Sequence, residues 1–172
     1  MLLQRDIVSL MDKDFIEVRV RGLAVAREGG MPMVLLLDKG ETSGLSLPIG
    51  PAEAGAIITE LEGLCPPSPL THDLLASIFR EGGFSLDRAE LYGERASDAM
   101  ARLVYRRGFS RRSRSLRPSD ALALALRLKA PVYARRPLLA SRREAEEALH
   151  FAAGSAPSPY YYHCSSRRLF SS

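Results

Sequence analysis

Three acidic residues and one histidine fall at expected helix starts. Glu53 lies two residues after Pro51, His72 and Asp73 follow Pro69-Leu70-Thr71, and Asp120 follows Arg117-Pro118-Ser119. A carboxylate in a first helical turn meets the positive end of the helix dipole, and that alone accounts for acids there. If the three starts converge, they offer the carboxylates and imidazole that a metal-dependent phosphodiesterase needs. A divalent ion such as Mg²⁺ or Mn²⁺, held by acidic oxygens, would stabilise charge on a scissile phosphate and generate a hydroxide nucleophile. Glu53 and Asp73 are then candidate ligands, and His72 a ligand or general base. The plainer alternative keeps each acid as a cap or dipole partner, and His72 as a hydrogen-bonding residue near a helix start.

Cations could hold such a substrate. Arg117, just ahead of a helix start, is placed either to grip phosphate bidentately or to pair with Asp120. Seven arginines lie from Arg102 to Arg117 with no acid among them. Of these, Arg106, Arg107, Arg111, Arg112 and Arg114 are candidate phosphate contacts, or else a solvated hairpin surface. Phe109 or Tyr105 would add base stacking if exposed. No zincin helix, nucleophile elbow, phosphate-binding glycine loop or Cys-x-x-Cys pair occurs.

Composition narrows the classes. The 172 residues suit one domain plus a tail, expected as residues 1–135 and 136–172. Of the net charge of +4, most sits late: residues 135–172 hold six Arg against three Glu, whereas 1–134 hold 18 basic against 17 acidic residues. A general basic footprint for nucleic acid is therefore absent, and any such surface must be local. Cys65 and Cys164 are too few for a disulfide framework. No apolar run reaches a membrane span, and the start of the chain, with Asp6 close behind Met1, does not read as a signal peptide. A cytoplasmic location with no membrane association is the expectation.

The elements that must position these residues are legible as patterns. Alternation over 15–26, an apolar run over 33–37 and a short stretch over 45–47 predict an antiparallel start. Pro51 opens a helix to about Leu61, with Ala54, Ile57, Ile58 and Leu61 on one face. A second helix, capped by Ser68 or Thr71, is expected to run to about Arg80, turning Leu74, Leu75, Ile78 and Phe79 inward and ending at Gly82-Gly83. Segments 86–92, 99–105 and 110–116 predict strands. Pro118 then starts an Ala/Leu-rich helix buried on most of its circumference, stopped by Lys129-Ala130-Pro131 ahead of a strand at Val132-Tyr133. After that come a short helix over 141–151 and a Ser/Pro/Tyr-rich tail without fixed structure. The fold class is α+β: a largely antiparallel or mixed sheet of five to seven strands against about three helices.

Three blocks carry a resemblance: Leu45-Ser46-Leu47-Pro48-Ile49-Gly50-Pro51-Ala52-Glu53-Ala54, then Pro69-Leu70-Thr71-His72-Asp73-Leu74-Leu75, then Arg117-Pro118-Ser119-Asp120-Ala121 leading to Ala130-Pro131-Val132-Tyr133. Together they resemble the bifunctional nuclease family, in order and over roughly residues 12–135. That resemblance implies an α+β fold and a nuclease acting on DNA and RNA by the metal-assisted chemistry sketched above, in a homo-oligomer. Glu53, His72, Asp73 and Asp120 would form its site. Two departures stand out: Ser46 replaces a proline and no tryptophan follows, and Ser115-Leu116 stands where members often carry Asp-Ala. Most matching residues are structural types. The competing expectation is thus a non-catalytic regulatory or assembly domain that binds nucleic acid through the arginine hairpin.

Overall fold

The computed structural model describes residues 14–24, 31–153 and 162–163. Three strands, β1 (Phe15–Ala24), β2 (Met33–Asp38) and β3 (Ser43–Pro48), form one antiparallel meander. A second consists of β4 (Phe84–Tyr92), β5 (Met100–Arg107) and β6 (Ser110–Leu116). Between them lies β7 (Val132–Arg135), antiparallel to β1 and parallel to β4, so a single strand welds the two meanders into one mixed sheet. Two-residue strands β8 (Ala140–Ser141) and β9 (Tyr162–His163) pair with β3 and β1. The order is β6-β5-β4-β7-β1-β2-β3-β8, which leaves β6 as an edge.

Helices α1 (Pro51–Leu61), α2 (Thr71–Glu81) and α3 (Pro118–Arg127) cover one face. Val18, Val20, Leu36, Leu45, Leu91, Ala101, Val132 and Ala134 of the strands form the main core with Ile57, Ala76 and the run Ala121–Ala125. Burial of five consecutive residues of α3 explains why its sequence lacks polar interruption. The fourth helix, α4 (Arg142–Ala153), covers the other face at β2 and β3, where Ala145 and Leu149 meet Ala24, Leu35 and Leu37. Ser46, in the place of the family's proline, donates its hydroxyl to the Ala145 carbonyl at 2.6 Å and fastens this helix. Residues 136–149 are therefore packed into the same fold, while 154–161 and 164–172 of the expected tail fall outside the described residues.

Three expectations need correcting. Among the described residues the sheet has eight strands along its path and a ninth on β1, because two-residue strands are too short to carry a periodic signal, and there are four α-helices, the fourth being the one expected over 141–151. In α2, Leu74, Leu75 and Ile78 are exposed rather than inward, and Ala76 is the buried residue. Leu74, Leu75 and Ile78 do lie at helical spacing, but α2 sits at the margin of the helix layer, and only a narrow strip of it meets the sheet. Phe79 does pack, at 5.3 Å from Phe84 and 5.5 Å from Tyr105 by ring centroid. Nor does Ser68 or Thr71 cap α2: its N-cap is Leu70, whose N–H donates to Asp73 Oδ2 at 2.7 Å.

The three inner helices are locked by one buried cation. Arg127, 3% exposed, donates to Asp73 Oδ1 on α2 at 2.5 Å, to the Ala56 carbonyl on α1 at 3.2 Å and to the Ala123 carbonyl on α3 at 3.2 Å. Arg80 near the end of α2 donates to the Arg127 carbonyl at 2.8 Å. Partial burial raises the pKa of Asp73. The bond from Arg127, the Leu70 N–H and the charges of Arg127 and His72 together outweigh it and hold the carboxyl below the usual value of 3.8. A group depressed in the folded state adds stability above its unfolded pKa and loses it as pH falls through the folded pKa. Asp73→Ala is expected to destabilise the protein by about 3 kcal/mol, because it strands a buried guanidinium. Asp73→Asn is expected to flatten the fall in stability below about pH 4. Urea titrations across pH 2–7 check both; an unchanged acid slope in Asp73→Asn removes Asp73 from this role.

Candidate functional site

Gly50 precedes Pro51 and Arg117 precedes Pro118, and both residues are extended N-caps followed by proline at the first helical position. This repeated punctuation starts α1 and α3 side by side. Helix α2 joins them: His72 touches the first turn of α3, and Arg80 reaches its end, so α2 and α3 run in the same direction. Three helix starts thus point one way, and their unsatisfied N–H groups and dipoles add a positive field at one spot.

Arg117 is the hub of that spot. Its Nε donates to Asp120 Oδ2 at 2.8 Å and its Nη2 to Asp120 Oδ1 at 3.1 Å, a bidentate pair, while Nη2 also reaches Glu53 Oε1 at 2.9 Å. His72 Nε2 lies 3.4 Å from the same Asp120 Oδ1. The Asp120 bonds and the Asp120 and Glu53 charges raise the Arg117 pKa above its usual value, so this guanidinium stays charged. The carboxylate of Glu53 folds back over Gly50, where a Cβ would collide with it. With φ at −70°, Gly50 is not needed for its backbone angle, and a side chain there would only displace the flexible Glu53 carboxylate from its present position.

Four of the expected residues, Glu53, His72, Asp120 and Arg117, therefore meet. Arg117 pairs with Asp120 and still leaves most of its side chain in solvent. Asp73 is next to His72 in sequence but turns toward Arg127 and the Leu70 N–H. Arg127 is the functional neighbour that pattern reading missed. An arginine at the end of an Ala/Leu helix reads as a dipole partner, and its burial is a tertiary fact.

A divalent cation finds no ready set of ligands in this arrangement. Among the described residues no three His, Cys, Asp or Glu side chains are grouped to hold a metal ion. The gap between Glu53 and Asp120 is bridged by the Arg117 guanidinium, so an ion there would compete with Arg117 for both carboxylates. The donor set does not fit a metal as it stands.

The arginine hairpin divides by sheet face. Paired residues Tyr105 and Arg112, and Leu103 and Arg114, share the helix side with Arg107, while Arg102, Arg106 and Arg111 alternate onto the other side. Asp87, extra residue of a bulge in β4, takes Arg106 at 3.1 Å and Arg111 at 3.6 Å. Glu90, 1% exposed, is held by Arg88 and Arg102. Arg107 lies over the Phe84 ring at 5.4 Å. The side chains of Arg112 and Arg114 have no hydrogen bond or ion pair to a described residue. Phe109 is fully exposed at the hairpin tip, and Tyr105 is taken up by Phe79 and Phe84.

The comparisons agree with the blocks noted in the sequence. An uncharacterized protein of Mycobacterium tuberculosis, Rv1829 in strain H37Rv and MT1877 in strain CDC 1551, is 36% identical over 124 residues, covering 72% of this chain and 74% of its own length. No helix among the described residues is long and apolar enough to cross a membrane. Residues 34–147, from β2 into α4 and so including every residue of the cluster, match the bifunctional nuclease domain, and the chain belongs to that family.

Proposed function

We propose that this protein hydrolyses phosphodiester bonds of DNA and RNA where the three helix starts meet. The observation that carries this reading is the contact of His72 with Asp120 beside a solvent-facing Arg117. In the tautomer with its proton on Nε2, His72 directs that proton to Asp120 and leaves Nδ1 to accept one from water. The water oxygen forms a bond to phosphorus, the bond to the leaving sugar oxygen breaks, and that oxygen takes a proton from solvent. Arg117 and the helix N–H groups lie where charge on the non-bridging oxygens builds up. Glu53 and Asp120 hold the guanidinium in place. Arg117 bridges the two carboxylates that a divalent ion, implied by the family resemblance, would need.

A second reading keeps a specific observation behind it. Arg117, Glu53 and Asp120 satisfy one another, as a purely structural clasp between α1 and α3 would, and α2 exposes Leu74, Leu75 and Ile78 at 58, 44 and 54%. An assembly or regulatory domain that self-associates through α2 and binds nucleic acid without cutting it has those features.

Two predictions separate these readings. With labelled single- and double-stranded DNA and RNA, in Mg²⁺, Mn²⁺ or EDTA, His72→Ala plus Asp120→Asn is expected to lower cleavage at least about 10²-fold with circular dichroism unchanged. Full activity in that double variant would sink the site assignment, and no product from the wild type under any condition favours the assembly reading. Arg117→Lys keeps the charge but cannot bridge both carboxylates in a bidentate manner, so cleavage is expected to fall about 10²-fold. Wild-type rates in Arg117→Lys exclude it as the phosphate-holding group.

A further inference from the structure

The arginines of the β5–β6 hairpin are not equivalent. On the face away from the helices, Arg102, Arg106 and Arg111 each have a carboxylate, from Glu90 or Asp87. On the helix side, among the described residues, Arg112 and Arg114 have none, and Arg107 has only the Phe84 ring. The charge left without a counter-charge therefore lies on the side where His72, Asp120 and Arg117 meet.

It also lies in line with them. Arg112, Arg114 and Leu116 alternate along one side of β6, about 7 Å apart, and Arg117 follows as the N-cap of α3. Helix α2 runs beside this row: His72 at its start touches Asp120, and Phe79 near its end touches Tyr105, the cross-strand partner of Arg112. Asp73 and Arg80 put α3 on one flank of α2. Leu75, about 100° round from buried Ala76 in the sense opposite to Asp73 and Arg80, is on the flank away from α3 and is 44% exposed. The result is a trough with an arginine row on one wall and an apolar helix flank on the other, open at the β6 edge and leading to the site.

We propose that this trough is the track of one nucleic-acid strand, with the phosphates beyond the scissile one carried by Arg114, then Arg112, then Arg107. The inference rests on the hydrolytic reading for its starting point at Arg117. A single row of cations beside an apolar wall matches a single strand, whose phosphates lie on one side and whose bases are free to lie against side chains. A duplex presents two phosphate rows, and among the described residues one row of arginines without carboxylates faces it here. Phe109 at the hairpin tip lies with Asp87, Arg106 and Arg111 on the opposite face and is not part of the track.

The test is binding, so that it is independent of cleavage. Fluorescence anisotropy of the full chain with a labelled 12-nucleotide oligo(dT) and with a 12-base-pair duplex, in EDTA and over a range of salt, compares two variants of equal charge loss. Arg112→Gln/Arg114→Gln is expected to weaken oligo(dT) binding at least tenfold and to reduce the salt slope by about 1.4, as for two lost contacts to a single strand. Arg106→Gln/Arg111→Gln is expected to weaken it no more than threefold. Equal losses in the two variants, tighter binding to the duplex, or no oligo(dT) binding by the wild type would each overturn the track. Arg114→Gln alone, expected to show about half the slope change, serves if the double variant does not fold. Face-dependent binding without cleavage sustains the track and removes the hydrolytic reading; cleavage with no face dependence does the reverse.

Discussion

A guanidinium without water must find acceptors, and the Arg127 side chain, sealed beneath the helix layer, finds them on three helices at once. Leaving any of them unmet costs far more than an ordinary surface contact. The relative placement of α1, α2 and α3 is therefore set by one side chain, and their starts come together as a consequence. Asp73 is the anionic member of that set. Because His72 is its neighbour in the first turn of α2, holding Asp73 inward turns the imidazole toward Asp120. The cluster at the surface inherits its geometry from a pair buried behind it.

The same economy of charge organises the sheet. Basic and acidic residues nearly balance in the body of the chain, yet they are not spread evenly. On the face away from the inner helices, Glu90 and Asp87 neutralise arginines from neighbouring strands, and Tyr92 and Tyr133 lie near the guanidinium groups of Arg102 and Arg88 at 5.8 and 6.0 Å. Burying Glu90 is tolerable only because two cations meet it there. On the helix side no acid among the described residues opposes Arg112 or Arg114. A sheet edge lined this way repels pairing with another strand and attracts polyanions, two effects of one unneutralised row.

Arg117 joins the two systems. It closes the clasp between α1 and α3 through Glu53 and Asp120, and it ends the arginine row at the helix starts. A clasp residue that stays exposed can exchange one anionic partner for another, carboxylate for phosphate, without loss of its own charge. Structural and functional readings of this cluster are thus not opposites in physical terms. The residues that align the helix starts are also those a phosphate would meet first.

Much of this was local enough to read from the chain. Pro51 and Pro118 mark helix starts because proline's missing N–H is harmless only there, and the acids two residues later answer the dipole. Alternation in β1 and β5 follows from a pleat with one buried face. The Ala/Leu run of α3 announces a buried helix before any partner is known. What pattern could not supply was partnership across long separations. The inward role of Arg127, the exposure of Leu74, Leu75 and Ile78, and the two-residue strand beside β3 all depend on which element lies next to which. Spacing placed Glu53, His72 and Asp120 at three separate helix starts; only the packing of those helices about Arg127, and the bridging of two carboxylates by Arg117, made them one site, because a side chain's neighbours are chosen by the whole fold while its helical position is chosen by a few residues around it.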